Sequence, residues 1–402
     1  MDRNRRINTI LAFALMPISG FATDIYLPSL PSMAGELHVS GAAIQLSIVL
    51  FMISMGICQF FAGGLLDSFG RRRPVLAAVM VFALASFLIG AVHSIYMLYA
   101  MRIVQGLTVA FIAVGKRAYF LDTFSGEELK SYTSLFSIVW SVAPIVAPFL
   151  GGYLQSSFGW SSNFYLLGGV VLALGLLDWW FGGESLKVFY PFKLRSITKV
   201  YASMVQTVDF TLGLVILALC YAMVIVFNMA SPFIIEHVFH ASPVVTGYGA
   251  LVSGGAIMLG GMLSKSMIRR PMVPKIPTAI FLQLLIGVAM IGAVKFSTIY
   301  LMLGFVLVVH LMSGFIYNAV LAYVLGRFSS HVGVASGLAG GGVFVLTSIF
   351  SYGLVGSVPV KNQAWLGLAY LFFAVLMFGA FWIFRRTSAA AAAANAPVVA
   401  TA

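Results

Sequence analysis

Two charged side chains stand deep inside long apolar runs of this sequence, where each could serve proton chemistry. Asp24 lies in the first run and Arg102 in the fourth. A charged group inside a membrane costs roughly 3 kcal/mol, so it faces a cavity or a partner. A carboxyl group that is both buried and close to a cation can bind and release protons. Asp24 is therefore the candidate proton-coupling residue, with Arg102 as its partner.

Each of these residues also has a structural interpretation. Asp24 suits a structural acid or N-cap at a helix break before Pro28, because proline interrupts helices. Arg102 suits a static buried ion pair or a guanidinium bonded to backbone carbonyls, and its alternative functional interpretation is a contact for an anionic group of a substrate. Gln105 lies three residues further on, on the same helical face, and can hydrogen-bond either partner.

The composition decides which elements must position these groups. The chain has 402 residues, of which 61% are apolar or aromatic and 8% are charged, whereas soluble proteins carry about 25% charged residues. A soluble fold of this size cannot hide so much apolar surface. This excludes a soluble enzyme, a nucleic-acid-binding domain and a disordered chain, and it indicates a polytopic membrane protein. Cys58 and Cys220 lie in apolar runs and are interpreted as small buried hydrophobes.

The apolar runs are continuous and too long for transmembrane strands, so we predict an all-α protein with twelve transmembrane helices. The basic start imitates a signal peptide, but eleven runs follow, and the first helix is predicted to be retained. The predicted spans are residues 7–30, 41–66, 74–93, 95–120, 129–155, 161–182, 208–235, 243–267, 276–295, 297–326, 331–357 and 363–385.

The basic residues predict the orientation of these spans. Nearly all of the 23 Lys and Arg fall on one side, and only Lys295 and Lys361 fall on the other. By the positive-inside rule the crowded side is cytoplasmic, which puts both termini in the cytoplasm. The net charge of +12 is then an insertion signal that faces anionic lipid, and no nucleic-acid partner is expected.

The polar stretch between spans six and seven divides the chain into two six-helix bundles. We predict an N-terminal bundle at 1–182, a cytoplasmic linker at 183–207, a C-terminal bundle at 208–386 and a disordered Ala-rich tail at 387–402. Gly63–Pro74 aligns without gaps on Gly260–Pro271 at the same topological place, which supports an internal repeat. Paired six-helix halves around a central cavity are a plan of secondary transporters.

Five motifs occur in order along the N-terminal half. They are Asp24-Ile-Tyr-Leu-Pro28, Gly63–Arg73 with Asp67, Gly70, Arg71 and Arg72, Arg102-Ile-Val-Gln-Gly106, Arg117-Ala-Tyr-Phe-Leu-Asp122 and Ala147-Pro-Phe-Leu-Gly-Gly152. Together they resemble the major facilitator superfamily, specifically its drug/proton antiporters of the bicyclomycin and florfenicol resistance (Bcr/CflA) type. The resemblance implies two pseudo-symmetric bundles, a monomer and no cofactor.

The resemblance also implies a set of gating residues at the cytoplasmic turns and in helix 5. Asp67 is expected to approach the N-terminus of helix 11 near Val332, where the helix dipole favours an anion. The corresponding residue of the second copy is Ser264, so the second copy lacks the acid of this latch. The expected gating set is Gly64, Asp67, Gly70, Arg71, Arg72, Arg117, Asp122, Pro148, Gly151 and Gly152.

A substrate cavity is expected to be apolar with a few polar groups. Each candidate suits packing or lipid contact as well as binding; they are Tyr26, Gln105, Trp140, Tyr221, Asn228, Tyr317 and Asn318. His310 is the most interesting intramembrane histidine, although a lone histidine usually serves packing. Glu236, His237 and His240 cluster at a helix end, where a wet surface is favoured over a metal site.

These features together predict a proton-coupled antiporter that exports small molecules across the bacterial inner membrane by alternating access. Drugs or toxic compounds are the expected substrates; the alternative is an endogenous metabolite such as a metallophore, siderophore or amino-acid derivative. No phosphate-binding loop is present, so the chain is not expected to hydrolyse ATP. No catalytic constellation is present, so it is not expected to be an enzyme. Its expected partners are the substrate, protons and membrane lipid, with no metal.

Overall fold

The computed structural model describes residues 3–270, 272–328, 332–360 and 362–387, and within these ranges the chain is helical without strands. The α-helices follow in this order: α1 Arg3–Leu15, α2 Ile18–Asp24, α3 Leu30–Glu36, α4 Gly41–Phe69, α5 Arg72–Gly90, α6 Ile95–Thr123, α7 Gly126–Ser134, α8 Phe136–Phe158, α9 Ser161–Phe181, α10 Leu194–Gln206, α11 Val208–His237, α12 Pro243–Ser266, α13 Met272–Gly292, α14 Ile299–Gly326, α15 Val332–Val355 and α16 Gln363–Phe384. Two 3-10 turns add Leu27–Ser29 and Ala293–Phe296.

Eleven segments of the described chain are long and apolar enough to cross a membrane. The helix α8, with 23 residues, is also long enough at about 1.5 Å per residue, and it stands where the fifth span was predicted. The predicted all-helical membrane fold is confirmed. The linker contains the amphipathic helix α10, and the short helix α7 follows α6.

The first span is built from several pieces, and it ends later than the sequence predicted. The helix α2 ends at Asp24, a 3-10 turn follows, and α3 continues to Glu36. Pro28 and Pro31 lie in the first turns of their helices, where the missing N–H would have no partner in any case. Proline therefore restarts the helix there, and the predicted end at residue 30 was wrong.

The chain forms two compact units. Unit 1 contains the described residues up to Leu194 together with Ser242–Tyr248, and unit 2 contains Arg195–Ala241 and the described residues from Gly249 onward. The predicted bundle boundaries at 182 and 208 stay predictions. The Ala-rich tail lies outside the described residues, apart from Thr387.

Unit 1 is held together by close packing of α4 on α6 and of α5 on α6 and α9. Gly106 of α6 makes this possible, because a Cβ there would fall on the Phe51 carbonyl oxygen and the Ser54 hydroxyl of α4. In unit 2, α13 packs on α16, and α11 packs on α14, α15 and α16. Small residues at such crossings let backbones approach closely in lipid.

We expect Gly106→Ala to lower the free energy of unfolding of the purified protein by about 1–3 kcal/mol, because the added methyl meets a backbone carbonyl that cannot rotate away. The matched control is Gly169→Ala, since a Cβ at Gly169 meets nothing within 4 Å. Unfolding midpoints in detergent compare the two variants. Equal midpoints would contradict this account of the crossing between α4 and α6.

Candidate functional site

Arg102 is a completely buried side chain in unit 1. Its Nη1 donates to the Ala22 carbonyl at 3.0 Å and to Gln105 Oε1 at 2.8 Å, and its Nε donates to the Ser47 carbonyl at 3.4 Å. Because α2 ends at Asp24, the carbonyls of its last turn need partners from outside the helix. Arg102 supplies one of them, so the break in the first span creates an acceptor for the guanidinium.

Two aromatic rings hold the guanidinium plane. Its carbon lies 4.1 Å from the ring centroid of Phe51 and 4.7 Å from that of Tyr26. Such cation–π contacts are worth up to about 2 kcal/mol when they are desolvated. Tyr26 is itself fully buried, and its hydroxyl pairs with the Ser47 hydroxyl at 3.0 Å. The structure therefore places Tyr26, a predicted cavity residue, in the packing around Arg102.

Asp24 is the last residue of α2 and is 3% exposed. In the described part of the chain it forms no ion pair with Arg102. Its Oδ1 and the Nη2 of Arg102 are both buried without a hydrogen-bond partner. An unsatisfied buried polar atom costs about 1–3 kcal/mol, more when charged. The site thus holds an acceptor on Asp24 that is able to take a proton and a donor on Arg102 that is able to bind an anionic group, and the two atoms are also able to pair with each other.

Gln105 ties the site into unit 1. Its Oε1 accepts from Arg102, and its Nε2 donates to the Ser86 hydroxyl of α5 at 2.8 Å. Gly151 of α8 lies so close to the first span that a Cβ there would fall on the Ile25 carbonyl. These contacts fix the segment that carries Asp24 against α5, α6 and α8.

A second group of charges lies at the turn between α4 and α5. Arg71 forms ion pairs with Asp67 at 2.7 Å and with Asp122 of α6 at 3.0 Å. Partial burial of the Arg71 guanidinium lowers its pKa, but the opposing pull of Asp122 and then Asp67 is greater, so the pKa is raised. Gly64 and Asp67 lie within α4, which continues to Phe69, so among the gating residues predicted for this turn only Gly70 and Arg71 lie between α4 and α5.

The other predicted gating residues lie in neighbouring helices of unit 1. Arg117 is half-buried in α6, and Pro148, Gly151 and Gly152 are buried in α8. The Arg72 guanidinium donates to the Trp179 carbonyl at 2.9 Å. The predicted approach of Asp67 to helix 11 stays a prediction.

The predicted cavity residues of unit 2 are spread over two helices. Tyr221 and Asn228 lie on α11, and Tyr317 and Asn318 lie on α14, where Asn318 is exposed. The ring of Tyr221 packs against Phe344, with centroids 5.9 Å apart. The side chain of Trp140 lies outside the part that the structure describes.

His310 belongs to a buried polar network that the sequence did not reveal. Its Nδ1 pairs with the Ser253 hydroxyl at 2.7 Å and its Nε2 with the Tyr370 hydroxyl at 3.1 Å. Since both ring nitrogens have neutral partners, the network ties α12, α14 and α16 together. Also unforeseen is the ion pair of Asp209, in the first turn of α11, with Arg327, directly after α14, at 2.7 Å. Only side-chain contacts between distant helices could have identified these groups.

The apolar spans and the buried charges define a class of protein, a multi-pass membrane transporter built from two helical units. The model of the Major Facilitator Superfamily matches residues 12–352. The chain belongs to this superfamily, whose members are transporters of small molecules and not enzymes.

Three curated relatives show what the chain is similar to. It is 30% identical to an uncharacterized MFS-type transporter, YdgK, of Bacillus subtilis, over 65% of this chain and 68% of that protein. It is 36% identical to a bicyclomycin resistance protein homolog of Haemophilus influenzae, over 39% of this chain and 38% of the relative. It is 29% identical to multidrug resistance protein D of Escherichia coli, over 44% of each. The last two matches span less than half the length of those relatives.

Solved structures agree on the fold. A D-xylose-proton symporter superposes with a TM-score of 0.71 at 13% identity, over 93% of this chain and 97% of that one. The nucleoside transporter NupG gives a TM-score of 0.71 at 14% identity, over 95% and 100%. At these identities the likeness establishes the fold alone, and it agrees with the predicted two-bundle architecture.

We expect Arg102→Lys to destabilise unit 1 by about 1–3 kcal/mol, because an ammonium lacks the planar fork that reaches Ala22, Gln105 and the two rings. The control is Arg73→Lys at an exposed position. Thermal unfolding of the purified variants measures the difference. A lysine variant as stable as the wild type would show that the guanidinium contacts contribute little.

Proposed function

We propose that this transporter is a proton-coupled exporter of small molecules, of the class of drugs or toxic compounds, that works by alternating access in the bacterial inner membrane. The observation that carries the proposal is the pair of buried, unpartnered atoms on Asp24 and Arg102. A transporter that couples to protons needs a group whose charge changes inside the membrane. Unit 1 holds two buried acids near cations: Asp178 is ion-paired with Lys116 at 2.6 Å, whereas Asp24 keeps an unpartnered oxygen near the buried Arg102.

The geometry suggests what protonation changes. In the described arrangement Arg102 bonds to Ala22 and Gln105 rather than to Asp24. This arrangement suits a neutral, protonated Asp24, which does not attract the guanidinium. Loss of the proton would create a buried carboxylate, and its lowest-energy partner is the free Nη2 of Arg102. Protonation and ion pairing then alternate as the site is opened to the two sides of the membrane.

The direction and the substrate class are supported by the relatives. Proteins named for bicyclomycin resistance and for multidrug resistance match parts of this chain, and export of a toxic compound is a way in which a transporter would confer resistance. Position 16, eight residues before Asp24, is Met16, which is buried in an apolar cluster with Phe120 and Phe124. With Asp24 as the one acid of the first span that lies away from its ends, neutral, zwitterionic or anionic substrates are favoured over cations.

The cytoplasmic charge cluster supplies the gate of this proposal. Arg71 joins α4 to α6 through Asp67 and Asp122, and such a partly buried network resists separation of the helix ends. We assign to it the role of holding unit 1 rigid while the cytoplasmic side opens and closes. The predicted contact of Asp67 with helix 11 would complete the latch.

We expect Asp24→Asn to abolish transport that is driven by an imposed pH gradient, because the amide cannot bind or release the coupling proton. Proteoliposomes and a panel of neutral, zwitterionic and anionic compounds, bicyclomycin included, provide the measurement. The control is Glu127→Gln, an exposed acid that pairs with Lys130. Wild-type transport by Asp24→Asn would overturn the coupling role of this residue.

Cysteine labelling tests the proposed orientation. Cys58 and Cys220 are buried, whereas Lys187 and Lys295 are exposed. In intact cells we expect an impermeant maleimide to label Lys295→Cys at once and Lys187→Cys only after the membrane is permeabilised, since the basic linker stays in the cytoplasm. The reverse pattern would place the termini outside.

A further inference from the structure

The first residues of the central linker turn back onto the α4–α5 turn of unit 1. We call Glu184–Tyr190 the linker strap. At its far end, the Tyr190 N–H donates to the Asp67 carbonyl at 3.0 Å, and the Ser68 hydroxyl donates to the Tyr190 carbonyl at 2.6 Å. At its near end, Ser185 donates to Asp122 Oδ2 at 2.9 Å. The strap therefore touches both acids that hold Arg71.

Glu184 caps the N-terminus of α5, which the N-cap residue Arg71 does not cap with its own side chain. Its Oε1 accepts from the Arg71 N–H at 2.9 Å, and its Oε2 accepts from the Arg72 N–H at 3.0 Å. The first N–H groups of a helix have no partner within the helix, and α5 begins at Arg72 without a side-chain cap from its own N-cap residue. A carboxylate more than a hundred residues away along the chain thus caps α5, where the helix dipole also favours an anion.

Two further observations indicate that this cap is a built contact. Partial burial raises the pKa of Glu184, but hydrogen bonds from the backbone N–H groups of Arg71, Leu186, Arg72 and Ser185 outweigh it and lower the pKa. Gly70 has a φ of +86°, which favours glycine, and a Cβ there would lie 2.6 Å from Glu184 Oε2. The turn is therefore shaped to admit this carboxylate.

We propose that Glu184 is a positioning residue for the cytoplasmic charge cluster: it fixes the backbone at Arg71 so that the guanidinium spans Asp67 and Asp122. Asp122 Oδ2 accepts from both Arg71 Nε and Ser185, so the strap fixes the guanidinium and its acceptor together. The significance of this role for gating rests on the proposed function, whereas the positioning itself does not.

Hydrogen–deuterium exchange tests the cap directly in the full-length protein. In Glu184→Ala the Arg71 and Arg72 amides lose their acceptor, and we expect them to exchange about two- to thirtyfold faster, with a smaller effect in Glu184→Gln. Glu127→Gln, an exposed acid of the same unit, is expected to leave these amides unchanged. Unchanged exchange in Glu184→Ala would overturn the proposal.

A double-mutant cycle then tests the positioning of Arg71. If Glu184 holds Arg71 for Asp122, the losses of thermal stability in Glu184→Gln and Asp122→Asn are less than additive in the double variant, whereas Glu127→Gln and Asp122→Asn are additive. If the losses of thermal stability in Glu184→Gln and Asp122→Asn are additive, Glu184 contributes to stability independently of Asp122, and the proposal is overturned.

Transport separates this inference from the proposed function. In proteoliposomes we expect Glu184→Gln to lower the maximal rate severalfold and to leave the half-saturating concentration unchanged, because the substrate site is not touched. An unchanged maximal rate would overturn the gating role. A wild type that transports nothing would count against the proposed function, and the exchange and stability measurements would still decide the positioning role.

Discussion

Burying the guanidinium of Arg102 is the constraint on which unit 1 depends. A cation inside a membrane protein is costly unless oxygen acceptors and aromatic faces replace its water. The early end of α2 supplies the Ala22 carbonyl, α4 supplies Ser47 and Phe51, and α6 supplies Gln105. Glycines at 106 and 151 let these helices come close enough to do so. The break in the first span and the tight helix crossings follow from this requirement. So does the position of the buried Asp24 near Arg102.

In the proposed mechanism, the two unpartnered atoms of Asp24 and Arg102 are what allow the site to change state. Were Arg102 and Asp24 fully satisfied, the pair would be a static element of the core. Instead each keeps one buried atom without a partner. Leaving buried polar atoms without partners costs free energy, and we infer that this cost allows two states of similar energy. In one state the carboxyl group of Asp24 is protonated, and in the other it is ionised and paired with Arg102. The polar network of His310 in unit 2, by contrast, joins neutral partners through both ring nitrogens and serves as a fixed tie between helices.

Much of this could be predicted from the sequence, because charge is scarce in it. With few charged residues in apolar spans, Asp24, Arg102 and the neighbouring Gln105 were conspicuous, and the spans themselves followed from hydropathy. The restart of the helix at Pro28 and Pro31 was missed, since proline marks a helix start as well as an end. Glu184 was missed for a different reason: it lies in a polar linker, and it binds the backbone N–H groups of Arg71 and Arg72. Every residue except proline has a backbone N–H, so residue types alone do not indicate such a contact. Tyr26 was predicted to line a cavity, but an amphipathic ring also suits a cation, and here it packs on Arg102.

The central claim is that Asp24 exchanges a proton inside unit 1, and infrared difference spectroscopy tests it most directly. Spectra of the purified protein are recorded while the pH is raised, and the stretching band of a buried protonated carboxyl group is followed. The account predicts one such band that disappears with rising pH in the wild type and is missing from Asp24→Asn, whereas Glu127→Gln keeps it. Identical difference spectra for the wild type and Asp24→Asn would contradict the account, because the titrating carboxyl would then belong to another residue.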